Sequence, residues 1–186
     1  MVTVIVVGMP GSGKDTLLRA AKSLGFGHVG MGDVVRRFAA KHGIPSTDEA
    51  IGGLANSERQ KHGDAIWAER TLEELPPGNA IIDGSRSLHE IECFRKSLGP
   101  GLRVIAVKAP RELRFRRLQL RQRSDAPRTL DEFSRREARE AAWGLAAAIS
   151  SADISLDNEG TQEDFLAECL AALKSLLADL GSLSTS

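Results

Sequence analysis

Gly8, Gly11 and Gly13, followed by Lys14, Asp15 and Thr16, are the residues whose types and spacing point most directly to chemistry. They fall in the run Gly8-Met9-Pro10-Gly11-Ser12-Gly13-Lys14-Asp15-Thr16. The interval from Gly8 to Gly13-Lys14 fits G-x-x-x-x-G-K, a loop whose backbone N–H groups turn inward around phosphate oxygens. The glycines permit that turn, and the positive end of the helix that follows adds to the attraction. Lys14 supplies a mobile ammonium for the outer phosphates of a nucleotide. Asp15 stands where the motif has Ser or Thr for Mg²⁺, and Thr16 comes one step later. Asp15 is therefore an expected Mg²⁺ ligand, directly or through water.

Three further groups could complete a phosphate chemistry. Ile81-Ile82-Asp83-Gly84-Ser85-Arg86 is an apolar strand that ends in a carboxylate and then an arginine. Beside a phosphate loop, Asp83 can hold a water on Mg²⁺, and Arg86 can grip a phosphate with two parallel N–H bonds. Met31-Gly32-Asp33-Val34-Val35-Arg36-Arg37 opens a helix that Asp33 can cap. By residue type alone, Arg36 is a solvated helix charge. Arg114, Arg117 and Arg121 recur at i, i+3 and i+7, so they share a helix face. Arg123, Arg128, Arg135, Arg136 and Arg139 follow. About half of these arginines suit a solvated face paired with Glu132, Glu137 and Glu140. The rest, led by Arg121, Arg123 and Arg135 with Arg117 and Arg139 next, would neutralise charge on a transferred phosphoryl group and exclude water.

These groups need a scaffold that brings strand ends together. Val4–Val7 reads as a buried parallel strand, and a helix runs from the glycine loop to about Ser23. Phe26–Val29, Ala80–Ile82, Val104–Val107 and Ala152–Leu156 read as four more strands. Between the second and third, residues 31–75 read as a helical excursion. Ser46 and Glu49 suggest a capping box there, with breaks near Gly52-Gly53 and Gly63. Later helices are expected over Leu88–Leu98, from Pro110 to about Gln122, from a Thr129/Glu132 capping box towards Ile149, and from Thr161 to about Leu180. Strands alternating with helices imply an α/β fold, a parallel sheet covered on both faces. Ligands of such sheets sit at the carboxyl ends of the strands, where Gly8 and Asp83 fall.

Bulk properties narrow the partners. The chain has 186 residues, which favours a single domain spanning 1–186. Lys+Arg and Asp+Glu are 25 each, so no net charge draws it to nucleic acid or membrane. Two Trp, six Phe and no Tyr argue against an aromatic platform for single strands. Cys93 and Cys169 have no metal-type spacing and suit a reducing, cytoplasmic setting. No apolar run reaches membrane-spanning length, and the N-terminus lacks a signal pattern.

The motifs resemble those of adenylate kinases. Gly32-Asp33…Arg36 is similar to their helix start, whose arginine grips the acceptor phosphate. Asp83-Gly84-Ser85-Arg86 is similar to their third-strand motif, one residue shorter, and Thr16 matches a phosphate-binding threonine. Arg123-Ser124-Asp125 between two helices resembles their lid, and Asn158-Glu159-Gly160 resembles the end of dephospho-CoA kinases. The nearest likeness is to a mainly archaeal family of predicted nucleotide kinases, through GMPGSGKD, MGDVVRR, IIDGSRS, RQRSDAP and DNEG.

That resemblance implies a three-layer P-loop kinase fold with a five-stranded parallel sheet ordered 2-3-1-4-5, a helical acceptor-binding insertion and a lid over 121–135. It implies Mg²⁺ and ATP as donor, and a nucleotide acceptor, in a monomer or homodimer. Residues Gly8 to Thr16 would hold ATP, with Lys14 catalytic. Asp83 and Asp15 would hold the metal. Arg36 and Arg86, with Asp33, would meet the acceptor, and Arg121, Arg123 and Arg135 would stabilise transferred charge. If the acceptor is a hydroxyl, as in dephospho-CoA kinases, Asp33 is the candidate base. An ATP-binding regulator with little transfer and a nucleic-acid-dependent ATPase are the other two readings.

Overall fold

Thr3–Val7 (β1) is buried along its whole length, so it can only be an inner strand with both faces covered. In the computed structural model, which describes residues 1–120 and 129–183, β1 is the centre of a five-stranded sheet. Its companions are Gly27–Gly30 (β2), Ala80–Asp83 (β3), Leu102–Lys108 (β4) and Ile154–Asp157 (β5). All pairings are parallel and the order is β2-β3-β1-β4-β5, as the sequence led us to expect.

Alternation along the strands feeds two cores. Val4, Val6, Ile81, Ile105 and Val107 face one side, with the helices Lys14–Ser23 (α1) and Gln162–Leu183 (α9). Ile5, Val7, Ile82, Val104 and Ala106 face the other. That side carries the helices Met31–Lys41 (α2), Asp48–His62 (α3), Ile66–Leu72 (α4) and Leu88–Leu98 (α5). The helices Arg111–Leu120 (α6), Leu130–Ala142 (α7) and Leu145–Ser150 (α8) complete the described chain. Among the described residues, no helix is long and apolar enough to cross a membrane.

Several boundaries differ from expectation, each for a local reason. The cap of α2 is Gly30, in extended backbone; Asp33 lies inside the first turn and bonds Arg36 instead. The cap of α3 is Thr47, not Ser46, because the Thr47 hydroxyl reaches the Ala50 amide. Helix α3 runs unbroken through Gly52-Gly53, whose cost of about 1 kcal/mol each is tolerable in a 15-residue helix. It stops at Gly63, where φ is 97°. The helix that Thr129 opens ends at Trp143, because Gly144 turns to φ 95° and starts α8 afresh. Thr129 does cap α7, accepting from the Glu132 amide. The fifth strand begins at Ile154 rather than Ala152, and the expected helix end at Gln122 lies outside the described residues.

Candidate functional site

Register sets the site. Val6 pairs with Asp83, and Val7 with Ala106, so β1, β3 and β4 finish at one edge. The loop from Gly8 to Gly13 leaves β1 at that edge and enters α1. Lys14 folds back over it, its Nζ donating to the Gly8 carbonyl at 2.8 Å. Gly11 has φ 82° and backs onto the Arg114 carbonyl; Gly13 has φ 103° and backs onto the Asn158 amide. A side chain at either position would meet those atoms as well as an unfavourable backbone angle.

A loop that turns its N–H groups inward leaves carbonyls facing outward, and buried carbonyls need donors. Arg114 Nη1 donates to the Pro10 carbonyl at 3.2 Å. The Asn158 amide donates to the Ser12 carbonyl at 2.8 Å, and Arg117 reaches the same carbonyl at 3.4 Å. Arg117 also donates to the Asn158 side-chain oxygen at 3.0 Å. Arg114 is in turn held by Glu137 of α7 at 2.6 Å. Two of the clustered arginines thus brace the back of the loop.

In front of the loop is a cavity of about 170 Å³, lined by Gly8, Gly11, Lys14, Asp15, Asp83 and Glu140 among others. Burial pulls the Lys14 ammonium below its ordinary value, against the opposing carboxylates of Asp83 and Glu140; Arg86 adds to the lowering and Asp15 resists it. Among the described residues, Asp83 Oδ1 and Ser12 Oγ are buried and find no hydrogen-bond partner. Buried polar atoms of that kind usually wait for a ligand, ion or water. Among the described residues no group of three His, Cys, Asp or Glu could hold a metal. Mg²⁺ does not require one: it binds through one or two carboxylates plus phosphates and waters. The orphaned Asp83 oxygen, with Asp15 on the same cavity wall, fits that demand.

A second cavity of about 110 Å³ adjoins the first, and Gly84, Arg86, Arg136 and Glu140 line both. Arg36, Arg59 and Arg139 add three more guanidiniums, against apolar walls that include Met31, Val35, Trp67 and Trp143. Gly52 lines it too, and a Cβ there would enter open space, with nothing within 4 Å. Glu140, buried, lies 3.3 Å from Arg136 and 3.8 Å from Arg86. Glu90, fully buried, accepts from the Arg86 backbone amide at 2.7 Å, from Ser85 Oγ at 3.3 Å and from Arg59 at 3.0 Å. It fixes the turn after β3 that carries Arg86.

The residues singled out from sequence divide as follows. Lys14, Asp15, Asp83 and Arg86 meet at the first cavity, and Arg36 lines the second. Asp33 pairs with Arg36 at 2.6 Å on a half-exposed surface and lines neither cavity. Thr16 is buried in α1 and accepts from Arg19 at 3.2 Å. Arg135 is exposed and lines neither cavity; its neighbours Arg136 and Arg139 do line the second. Arg121 and Arg123 lie outside the described residues. Sequence reasoning missed Arg59, Glu90 and the bracing role of Arg114, and took Glu140 for a solvated charge. One signal was available: Ser87 and Glu90 have capping-box spacing, and Ser87 does cap α5 by accepting from the Glu90 amide.

Known proteins agree with this architecture. Residues 7–134 match the model of an AAA domain. A UPF0200 protein of Thermoplasma acidophilum is 42% identical over 167 residues, 89% of this chain and 92% of that protein. A gluconokinase from Sinorhizobium meliloti shares the fold with a TM-score of 0.59, at 17% identity over 98% of this chain and 97% of its own. A shikimate kinase from Aquifex aeolicus does so with a TM-score of 0.52, at 20% identity over 92% and 96%. With the phosphate loop, the strand order and these likenesses in place, the chain belongs to the UPF0200 family, on a P-loop kinase fold.

Proposed function

We propose that this protein is an ATP-dependent kinase that moves the γ-phosphoryl group of Mg-ATP to a nucleoside or deoxynucleoside monophosphate. The observation that carries this reading is the wall common to the two cavities. A phosphate-loop cavity and an arginine-rich cavity share Gly84, Arg86, Arg136 and Glu140, so donor and acceptor phosphates would meet there. Lys14 and the loop amides hold the donor phosphates. Asp83 and Asp15 would hold Mg²⁺, which neutralises charge on the phosphates when bound. Arg36, Arg86, Arg59 and Arg139 take the acceptor phosphate, and Arg136 reaches both spaces. Arg121, Arg123 and Arg135 are proposed to stabilise the transferred charge. An anionic acceptor needs no general base; positioning and charge neutralisation supply the catalysis. Free Cys93 and Cys169 suit a reducing, cytoplasmic setting.

One observation favours a second reading, transfer to a hydroxyl. Glu140 is a buried carboxylate at the junction of the cavities, where a hydroxyl proton would have to go. It is better placed for that than Asp33. The deciding experiment gives Mg-ATP with each nucleoside and deoxynucleoside monophosphate, dephospho-CoA and sugar acids, and scores phosphorylated product. ADP appearing only with monophosphates supports the proposal. Product from hydroxyl acceptors alone moves the reading to Glu140 as base. ATP binding without transfer to anything in the panel leaves a nucleotide-gated regulator.

A further inference from the structure

Past the arginine-rich cavity lies a wider groove of about 480 Å³, between α3, the start of α5 and the junction of α7 with α8. Arg59 and Trp143 line both spaces, so the two meet at these side chains. Trp143 is fixed there, its indole N–H donating to Asn56 Oδ1 at 3.0 Å, with the Arg59 guanidinium 5.5 Å from its ring centre.

Size and chemistry divide the labour between the two. Pockets that enclose a whole small molecule span roughly 300–1,000 Å³. The inner cavity, at about 110 Å³, is too small for one, and the outer groove is not. Among the described residues, the inner lining offers guanidiniums, one carboxylate and apolar walls, with no amide, hydroxyl or imidazole side chain. Such a lining can hold an anionic end group and can read little else. The outer lining has what the inner one lacks: Asn56, Gln60, Asp64 and His89, beside Leu88 and Ala147. A flat heteroaromatic ring asks for that mixture, apolar against its faces and hydrogen-bonding groups at its edge.

We propose that the outer groove is the base subsite of the acceptor, and that it selects a base bearing an exocyclic amino group. The inference rests on the nucleotide reading above. The acceptor phosphate sits among the inner arginines, and the base passes Trp143 into the groove. Asp64 sets the preference, because an ionised carboxylate only accepts hydrogen bonds and so favours a ring edge rich in N–H donors. His89 Nδ1, 3.7 Å from Asp64 Oδ2, borders the same edge.

The test compares the full chain with its Asp64→Asn and Gln60→Ala variants, using the monophosphates of adenosine, guanosine, cytidine and uridine. The proposal expects at least one amino-bearing base to exceed uridine by about tenfold in kcat/KM. It expects Asp64→Asn to erase most of that difference while the KM for ATP stays within about twofold. In parallel, ligand-observed NMR follows binding of the unphosphorylated nucleosides, with binding expected to fall in both variants. Transfer to monophosphates with no base preference, or a preference that survives Asp64→Asn, overturns the subsite and leaves the kinase reading standing. Absence of transfer to any monophosphate removes the kinase reading of the acceptor. Nucleoside binding then decides the groove alone: binding lost in the variants supports it, and no binding overturns it.

Discussion

The side-chain amide of Asn158 donates to the carbonyl of Ser12 at 2.8 Å, joining the loop after β5 to the back of the phosphate loop. Among the described residues, Asn158→Ala leaves that carbonyl the longer Arg117 contact at 3.4 Å. A lost bond to a buried acceptor costs about 1–2 kcal/mol, so ATP affinity should fall about five- to thirtyfold. Isothermal titration calorimetry measures it. Wild-type affinity in the variant would mean that the loop holds its shape without this brace.

Lys14 carries a pH signature. Its pKa is held below the ordinary 10.5, mainly by burial, so the folded state gives up this proton before the unfolded state does. Between the lowered value and 10.5 the unfolded chain binds more protons at this site. The Lys14 contribution to stability therefore rises with pH through that window. Lys14→Met should remove this slope from a plot of Tm against alkaline pH, and should abolish transfer. Identical slopes in the two proteins would contradict the shift.

Arg36 tests the acceptor side separately from the donor side. It lines the arginine-rich cavity and not the cavity in front of the phosphate loop. Arg36→Ala should lower kcat/KM for the acceptor on the order of a hundredfold and leave ATP binding unchanged. Its pair with Asp33 is half-exposed, so Tm should hardly move. Equal turnover by the variant would remove Arg36 from the acceptor site.

Glu90 should matter for stability as well as for the placement of Arg59 and Arg86. Glu90→Ala strips acceptors from Arg59, Ser85 and the Arg86 amide in a buried setting. Removing one partner of a buried pair costs about 3–5 kcal/mol. Thermal denaturation should show a large fall in Tm. A drop of only a degree or two would mean that water replaces the carboxylate.

The phosphate loop was legible because its requirements are local. Positive φ at Gly11 and Gly13 demands glycine, and the buried strand before them reads from its own β-branched residues. Asp83 was legible for the same reason, as the end of an apolar run. Glu90 and Glu140 were not, because a buried carboxylate and a solvated one look alike until the chain brings Arg59, Arg86 and Arg136 beside them. The bracing role of Arg114 was hidden in the same way: its partner, the Pro10 carbonyl, is 104 positions away. The α2 and α3 caps missed by one to three residues, since neighbouring polar residues compete for the same amides and only geometry chooses between them.

Arg114 grips Pro10 with one nitrogen and Glu137 with another, so a single guanidinium ties the phosphate loop to α7. Coupling of this kind is reciprocal. A nucleotide that stiffens the loop would slow hydrogen exchange along α7, and whatever anchors α7 would lengthen the residence of the nucleotide. Cutting the tie at Glu137 would leave each half working to its own rhythm.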